Sequence, residues 1–89
     1  MFKMWCKIFS DTHLVKDMTI EDPRTDINRT KKVLEGLNEA CHDFDLAVPL
    51  WLDSNINSFK RHSRTRFTKD NFIEQIDFDY LEIQMLEED

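Results

Sequence analysis

The sequence predicts an α+β fold in which an antiparallel sheet of three or four strands packs one face against a single long helix. Two kinds of periodicity carry this prediction. Residues 2–9, 14–21 and 78–87 alternate apolar and polar side chains, which is the pattern of a half-buried strand. Residues 26–44 repeat their apolar side chains at the spacing of an amphipathic helix. The predicted order is β-β-α, then one or two short helices, then β.

Length and composition indicate one small domain, residues 1–89, with one core. The formal net charge of -6 disfavours non-specific attraction to nucleic acid or to an anionic membrane. The N-terminal run is hydrophobic but contains Lys3 and Lys7, and no apolar run in the chain is long enough to span a membrane. We therefore expect a cytoplasmic protein without a membrane partner, in which Cys6 and Cys41 are buried free thiols.

The first two strands are expected to form a β-hairpin. Residues 10–12 between the two runs are turn formers. A register with Ile8 opposite Leu14 and Met4 opposite Met18 brings the apolar side chains of both strands to one face.

The long helix is expected to begin shortly after the hairpin. Asp22 followed by Pro23 fits an N-cap and a first helical residue, and Thr25 or Asp26 is an alternative cap. Gly36 falls on the exposed arc of the helix, where it costs about 1 kcal/mol relative to alanine. The arc predicted to face the sheet consists of Ile27, Thr30, Val33, Leu34, Leu37, Ala40, Cys41 and Phe44.

The segment after the long helix is expected to hold an extended stretch and a short helix. Residues 48–52 form an apolar run interrupted by a proline, which fits an edge strand or an extended connection. Asp53 and Ser54 are good caps for a short helix that turns Ile56 and Phe59 to one side.

A second short helix and the last strand complete the predicted fold. Thr68 fits the cap of a brief helix that continues through Glu74, with Phe67 and Phe72 in the positions of a hydrophobic staple. The apolar face of the last strand consists of Leu81, Ile83 and Met85.

The sharpest feature of the sequence is a basic segment followed directly by an acidic one. Residues 60–69 contain no acidic side chain, and residues 70–89 contain no basic one. Basic side chains flanked by phenylalanines can bind single-stranded nucleic acid through phosphate contacts and stacking. Pairing with the acidic last strand, within one chain or between two, and a protein partner are the competing interpretations. The basic residues are Lys60, Arg61, Arg64, Arg66 and Lys69.

Two aromatic residues, Trp5 and Tyr80, are expected on the sheet face that the helix leaves uncovered. If their strands are neighbours, they form an apolar patch that favours self-association or a protein partner. Packing of the aromatic side chains under the 48–72 segment is the alternative. No histidine lies in a metal-ligand pattern, and neither cysteine has a base at a recognisable spacing. The sequence therefore predicts no catalytic residue, no metal site and no cofactor.

The run from Trp51 to Gln84, WLDSNINSFKRHSRTRFTKDNFIEQIDFDYLEIQ, resembles a family of short uncharacterised bacterial proteins of gut Firmicutes. Those proteins share an opening strand of the MWCK type, found here at residues 4–7. The resemblance covers nearly the full chain. It implies a small intracellular bacterial protein of unknown role, and it transfers no activity, ligand or site residue.

These observations favour a small non-catalytic binding module that acts as a homodimer or with a protein partner. The candidate surfaces are the outer sheet face and the basic segment. The alternative is a weak nucleic-acid or anion binder that uses the basic segment together with Arg29 and Lys32 of the long helix. A third and remote alternative is an enzyme whose site assembles across a dimer. The salt dependence of binding distinguishes the interaction module from the nucleic-acid binder, because contacts with phosphates weaken steeply as the salt concentration rises.

Overall fold

A computed structural model describes residues 1–88 and has an α+β fold built on a four-stranded antiparallel sheet. The strands are β1 (Phe2–Ser10), β2 (His13–Asp22), β3 (Arg64–Phe67) and β4 (Tyr80–Glu87). The sheet order is β2-β1-β4-β3, so the hairpin strand β1 and the last strand β4 are central. The helices are α1 (Arg29–Asp43) and α2 (Asp53–His62), and a single 3-10 turn spans Lys69–Asn71. The fold class and the antiparallel sheet are confirmed, whereas residues 1–88 form two helices of ten residues or more, α1 and α2, instead of a single long one.

The fourth strand comes from the basic segment and not from residues 48–52. These residues form an extended connection that bonds to the 3-10 turn: the Leu50 N–H donates to the Asn71 carbonyl at 2.7 Å, and the Asn71 side-chain amide donates to the Leu50 carbonyl at 2.8 Å. Both backbone groups of Leu50 are therefore satisfied without a strand partner. The observed order is β-β-α-α-β, then the 3-10 turn, then β.

The hairpin forms as predicted, but its register is displaced by two residues from the expected one. Met4 lies opposite Ile20 instead of Met18, and Ile8 lies opposite Lys16 instead of Leu14. A displacement of two keeps the side chains of residues 16–21 on their predicted faces, because strand side chains alternate with a period of two. The register shift beyond Ile8 sets Leu14 opposite Phe9, on the outer face and 46% exposed, instead of on the predicted inner face. The register shifts between Ile8 and Phe9, which shortens the turn to two residues.

The two turn residues, Asp11 and Thr12, both have positive φ, 52° and 65°. This is the backbone of a type I′ turn, which matches the strand twist but strains a β-branched residue. We expect Thr12→Gly to raise the free energy of unfolding by about 0.5–1 kcal/mol, because glycine adopts positive φ without a steric cost. Chemical denaturation would measure the change. Thr19→Gly, in the middle of β2, is the control and should destabilise the chain instead.

Helix α1 begins later than expected, at Arg29, because its N-cap is Asn28. The Asn28 side chain accepts a hydrogen bond from the Lys31 N–H at 2.9 Å. None of the four residues considered for the helix start serves in that role. Asp22 ends β2, and Arg24 donates to its carboxylate from Nε at 2.9 Å and from Nη2 at 2.6 Å. These bonds lower the pKa of Asp22 to about 2.

The buried face of α1 is rotated relative to the predicted arc. Lys32 and Gly36, expected in solvent, are buried, while Thr30 is exposed and Leu34 is 45% exposed. Gly36 explains the rotation. A Cβ added there would lie 3.0 Å from Met4 Cε and 3.1 Å from Ile20 Cγ2, so the missing side chain is what lets α1 approach the hairpin.

The core lies between α1, α2 and the inner face of the sheet. Its fully buried thiols are free, as predicted, and burial raises the pKa of Cys6 to about 12 and that of Cys41 to about 11. The buried apolar side chains are Phe2, Met4, Cys6, Ile8, Ile20, Val33, Leu37, Ala40, Cys41, Phe59, Phe67, Phe72, Leu81 and Ile83.

Helix α2 lies where the sequence predicts a short helix, but its cap residue is Leu52, and Asp53 and Ser54 fall in its first turn. The N-terminal bond comes from Asn55, whose side-chain oxygen accepts from the Leu52 N–H at 3.1 Å. The next predicted helix is shorter than expected. Thr68 caps it as predicted, but it is a 3-10 turn that ends at Asn71 instead of Glu74.

Side chains of α2 cover the outer edge of β3. Asn55 Nδ2 donates to the Arg66 carbonyl at 2.8 Å, and Ser58 Oγ donates to the Arg64 carbonyl at 2.9 Å. These two carbonyls belong to the edge strand and are thereby satisfied within the chain. The other edge strand, β2, has no strand beyond it among residues 1–88.

Candidate functional site

The sheet face opposite the helices is one candidate surface. Both helices pack on the inner face, through Gly36 of α1 and Phe59 of α2. The outer face therefore carries the alternate side chains of the strands. On the central strands these are Lys3, Trp5, Lys7 and Phe9 of β1 and Tyr80, Glu82 and Gln84 of β4.

A buried charge pair lies at the centre of this outer face. Lys7 Nζ lies 2.7 Å from Glu82 Oε2 and 2.9 Å from Gln84 Oε1, and Arg66 Nε donates to Glu82 Oε1 at 3.0 Å. Lys7 and Glu82 are each only 6% exposed. Burial by itself raises the pKa of Glu82, but the bonds and charges of Lys7 and Arg66 outweigh it and lower the pKa below its usual value. The carboxylate is therefore ionised and doubly paired at neutral pH.

Half-buried aromatic side chains flank this charge pair. Trp5 lies below Lys7, whose ammonium is 4.0 Å from the indole centroid, and the Trp5 Nε1–H donates to Asp17 at 2.8 Å. Tyr80 stacks on Phe9 with centroids 5.1 Å apart, and the Arg66 guanidinium lies 4.5 Å from the Tyr80 centroid. Trp5 and Tyr80 thus lie on neighbouring strands, but the Lys7–Glu82 pair separates them. One of the protein's own cations lies over each of these two rings.

The basic segment does not form one continuous strip. Lys60 and Arg61 lie in the last turn of α2, Arg64 and Arg66 point outward from β3, and Lys69 lies in the 3-10 turn. The left-handed residue Ser63, with φ 56°, ends the helix and separates the first pair from the second. Pairing with the acidic last strand, one of the interpretations of the sequence, occurs for Arg66 and Glu82.

Charge changes sign across the outer face. The edge strand β2 presents Asp17 and Glu21 there, opposite Lys7 and Lys3 of β1. The opposite edge strand β3 presents Arg64 and Arg66. The face therefore runs from an acidic edge, over an aromatic centre with a neutralised ion pair, to a basic edge.

A second candidate surface is a groove of about 430 Å³ between α1 and α2. Its apolar walls include Leu34 and Ile56, which are 45% and 40% exposed. Trp51 also lines the groove and packs edge-on against Phe59, with centroids 5.8 Å apart. The Trp51 Nε1–H is buried and has no hydrogen-bond acceptor among residues 1–88.

Two cations line the same groove, Arg29 of α1 and Lys60 of α2. The Arg29 guanidinium lies 5.0 Å from the centroid of Phe59, which precedes Lys60 on α2, so the start of α1 lies next to the part of α2 that carries Lys60. Arg29 Nε also pairs with the carboxylate of Glu88. Lys60 forms no ion pair within the part of the chain that the structure describes. We name this site the α1–α2 groove.

Sequence reasoning identified the two cations but not the groove that joins them. The sequence indicates Arg29 as a possible anion ligand and Lys60 as part of the basic segment. Neither position predicts that α1 and α2 are neighbours. The sequence also does not predict that Leu34 is exposed, because the rotation of α1 depends on the contacts of Gly36 with the hairpin. A groove between two helices depends on their packing, which periodicity does not report.

No three His, Cys, Asp or Glu side chains within residues 1–88 are arranged to hold a metal ion. No helix in that range combines the length and the apolar character that crossing a bilayer requires.

Comparisons with protein-family models, with curated proteins and with solved structures give no match to this chain. The resemblance to short bacterial proteins of gut Firmicutes therefore stays a prediction. Function must be argued from the two surfaces themselves.

Proposed function

We propose that this chain is a small non-catalytic interaction module that forms a homodimer through the outer face of its sheet. The observation that carries the proposal is the change of charge across that face. Asp17 and Glu21 lie on one edge strand, and Arg64 and Arg66 lie on the other. A surface with opposite charges at its two edges is complementary to a second copy of itself.

The geometry of such a dimer follows from the strand order. A two-fold axis parallel to the strands lays β2 of one protomer over β3 of its partner. In the register of the sheet, Asp17, Lys7, Glu82 and Arg66 form one row across the four strands. With this axis, the Asp17 end of the row in one protomer faces the Arg66 end of the row in its partner. Opposite charges meet at both edges of the interface.

The centre of the face has the composition of an interface core. Trp5 and Tyr80, on the central strands, belong to the residue types that contribute most binding energy at protein interfaces, and Arg66 is a third such residue at the basic edge. Lys7 and Glu82 are already paired within the monomer, so closing the face does not leave either charge unpaired. A patch four strands wide covers roughly 500 Å² per protomer, below the usual interface size. We therefore expect a weak dimer with a dissociation constant on the order of micromolar.

Charge reversal tests the proposed dimer. Glu21→Arg and Arg64→Glu should each weaken dimerisation about threefold to tenfold, because each sets like charges together at one edge. The double variant should restore dimerisation, because the two reversed side chains again bring opposite charges together at each edge, while Asp17 and Arg66 are unchanged. Light scattering during size exclusion, at several protein concentrations and two salt concentrations, measures the mass.

Glu39→Arg is the matched control, because Glu39 is exposed on α1 in the helix layer. It should leave the dimer unchanged. A monomeric wild-type chain at high protein concentration and low salt would overturn the proposal. So would a double variant that stays as monomeric as the two single variants.

The nucleic-acid alternative has less support. Bases stack on open aromatic faces, whereas Lys7 lies over the Trp5 ring and Arg66 over the Tyr80 ring. The basic residues are also divided between a helix, a strand and a 3-10 turn. Binding of a single-stranded oligonucleotide that weakens steeply with salt would favour this alternative. A cytoplasmic location is part of the proposal and is consistent with two buried free thiols.

A further inference from the structure

The α1–α2 groove differs from the outer sheet face in position and in chemistry. It lies in the helix layer, and its lining is dominated by apolar side chains: Val33, Leu34, Trp51, Ile56 and Phe59. A volume of about 430 Å³ is within the usual range of small-molecule sites. Water in such a groove contacts mainly hydrocarbon, so an apolar chain that displaces it is stabilised.

The groove has polarity along its length. Arg29, at the start of α1, lies beside the part of α2 that carries Lys60, and the apolar lining residues Leu34 and Ile56 lie five residues further along α1 and four residues back along α2. Arg29 is held over the Phe59 ring, which fixes the guanidinium at the groove. A ligand that matches this arrangement has an anionic head and an apolar tail.

The chain already supplies a carboxylate at the cationic end. Glu88, beyond the last residue of β4, pairs with Arg29 through its side chain. This contact demonstrates that a carboxylate reaches the guanidinium while Phe59 remains beneath it. It also means that Glu88 competes with any incoming carboxylate for Arg29.

From these three observations we propose that the α1–α2 groove binds a free single-chain amphiphile with a carboxylate head group. The tail lies against Leu34, Ile56 and Trp51, and the carboxylate lies between Arg29 and Lys60. The Glu88 side chain is displaced from Arg29 when the ligand binds. This site is independent of the proposed dimer, because it uses neither face nor edge of the sheet.

Three probes with the same tail and different heads test the proposal: decanoate, decanol and decyltrimethylammonium, each used below its micelle concentration. Trp51 reports binding by fluorescence in a Trp5→Phe background, which leaves one tryptophan, in the groove. Decanoate should bind about threefold to tenfold more tightly than decanol, and the cationic probe should bind most weakly. Titration calorimetry on the wild-type chain supplies a second readout.

Variants separate the roles of the head and the tail. Lys60→Gln should weaken decanoate severalfold and leave decanol unchanged, whereas Arg61→Gln, the adjacent cation outside the groove lining, should change neither. Ile56→Asn should weaken both probes about tenfold, and the control Ile73→Asn, at a side chain 87% exposed and outside the lining, should not. Glu88→Gln should tighten decanoate severalfold by releasing Arg29.

Two results would overturn the proposal. If none of the three probes changes Trp51 fluorescence or releases heat, the groove does not accept an apolar chain. If decanoate and decanol bind equally and Lys60→Gln affects neither, the groove does not recognise a carboxylate. Light scattering on the same samples keeps this outcome distinct from loss of the proposed dimer.

Discussion

Replacing Asn55 with alanine will lower the free energy of unfolding by about 3 kcal/mol. The Asn55 amide is buried and makes four hydrogen bonds. Its Nδ2 donates to Thr65 Oγ1 at 2.9 Å and to the Arg66 carbonyl at 2.8 Å. Its Oδ1 accepts from the Leu52 N–H at 3.1 Å and from Asn71 Nδ2 at 2.7 Å. Alanine removes all four bonds and leaves buried partners without a replacement, which is why the expected loss exceeds that of an ordinary hydrogen bond.

The size of the effect follows from what Asn55 joins. Its four bonds tie α2 to β3, to the 3-10 turn and to the connection that precedes α2. The control is Asn57→Ala, because Asn57 is exposed on the same helix and the substitution should change stability by less than about 0.5 kcal/mol. Urea unfolding followed by circular dichroism compares the two variants. Equal midpoints for Asn55→Ala and the wild type would contradict this network.

Replacing Leu37 with alanine will cost about 2–5 kcal/mol. Leu37 is 1% exposed and lies on the side of α1 that packs on the hairpin, one residue after the close approach of Gly36. Truncation removes buried methyl and methylene groups and leaves a cavity between the helix and the sheet. Calorimetry or urea unfolding would measure the loss.

Leu34→Ala is the informative control for Leu37. Periodicity assigns both leucines to the buried arc, but in the structure Leu34 is 45% exposed at the α1–α2 groove. We expect Leu34→Ala to cost less than about 1 kcal/mol, since little of its side chain is removed from water. Similar losses for the two variants would show that α1 is not rotated as described here.

The alternation and the helical period of apolar residues were sufficient to predict those elements whose apolar face is visible in their own sequence. The inner faces of β1 and β4 were predicted residue by residue and the structure confirms them, whereas in β2 Leu14 was wrongly assigned to the inner face. The hairpin register was not predicted, because a displacement of two residues leaves the same side chains on the same face. The contacts that select one register, such as those of Met4 and Ile20 with Gly36, are made with another element, α1.

The residues of the two candidate surfaces were likewise predicted only in part. Local alternation predicts the outward positions of Trp5 and Tyr80. Arg64 and Arg66 lie in the basic segment, which the sequence singles out. Strand β3 itself was missed, because four residues with two arginines do not resemble a buried strand, and its support comes from β4 and from Asn55 and Ser58 of α2. The groove was missed for a related reason, since its lining joins residues that are distant in the sequence.

The covered edge of β3 limits how many copies of this chain can join by strand pairing. Asn55 and Ser58 bond the outward carbonyls of Arg66 and Arg64, so a further strand finds those acceptors taken. The other edge strand, β2, has no strand beyond it within residues 1–88. In the terms of polymer chemistry, strand pairing then has one open end per chain, and coupling through that end joins two copies without adding units at both sides. Growth of a continuous sheet therefore terminates at two chains.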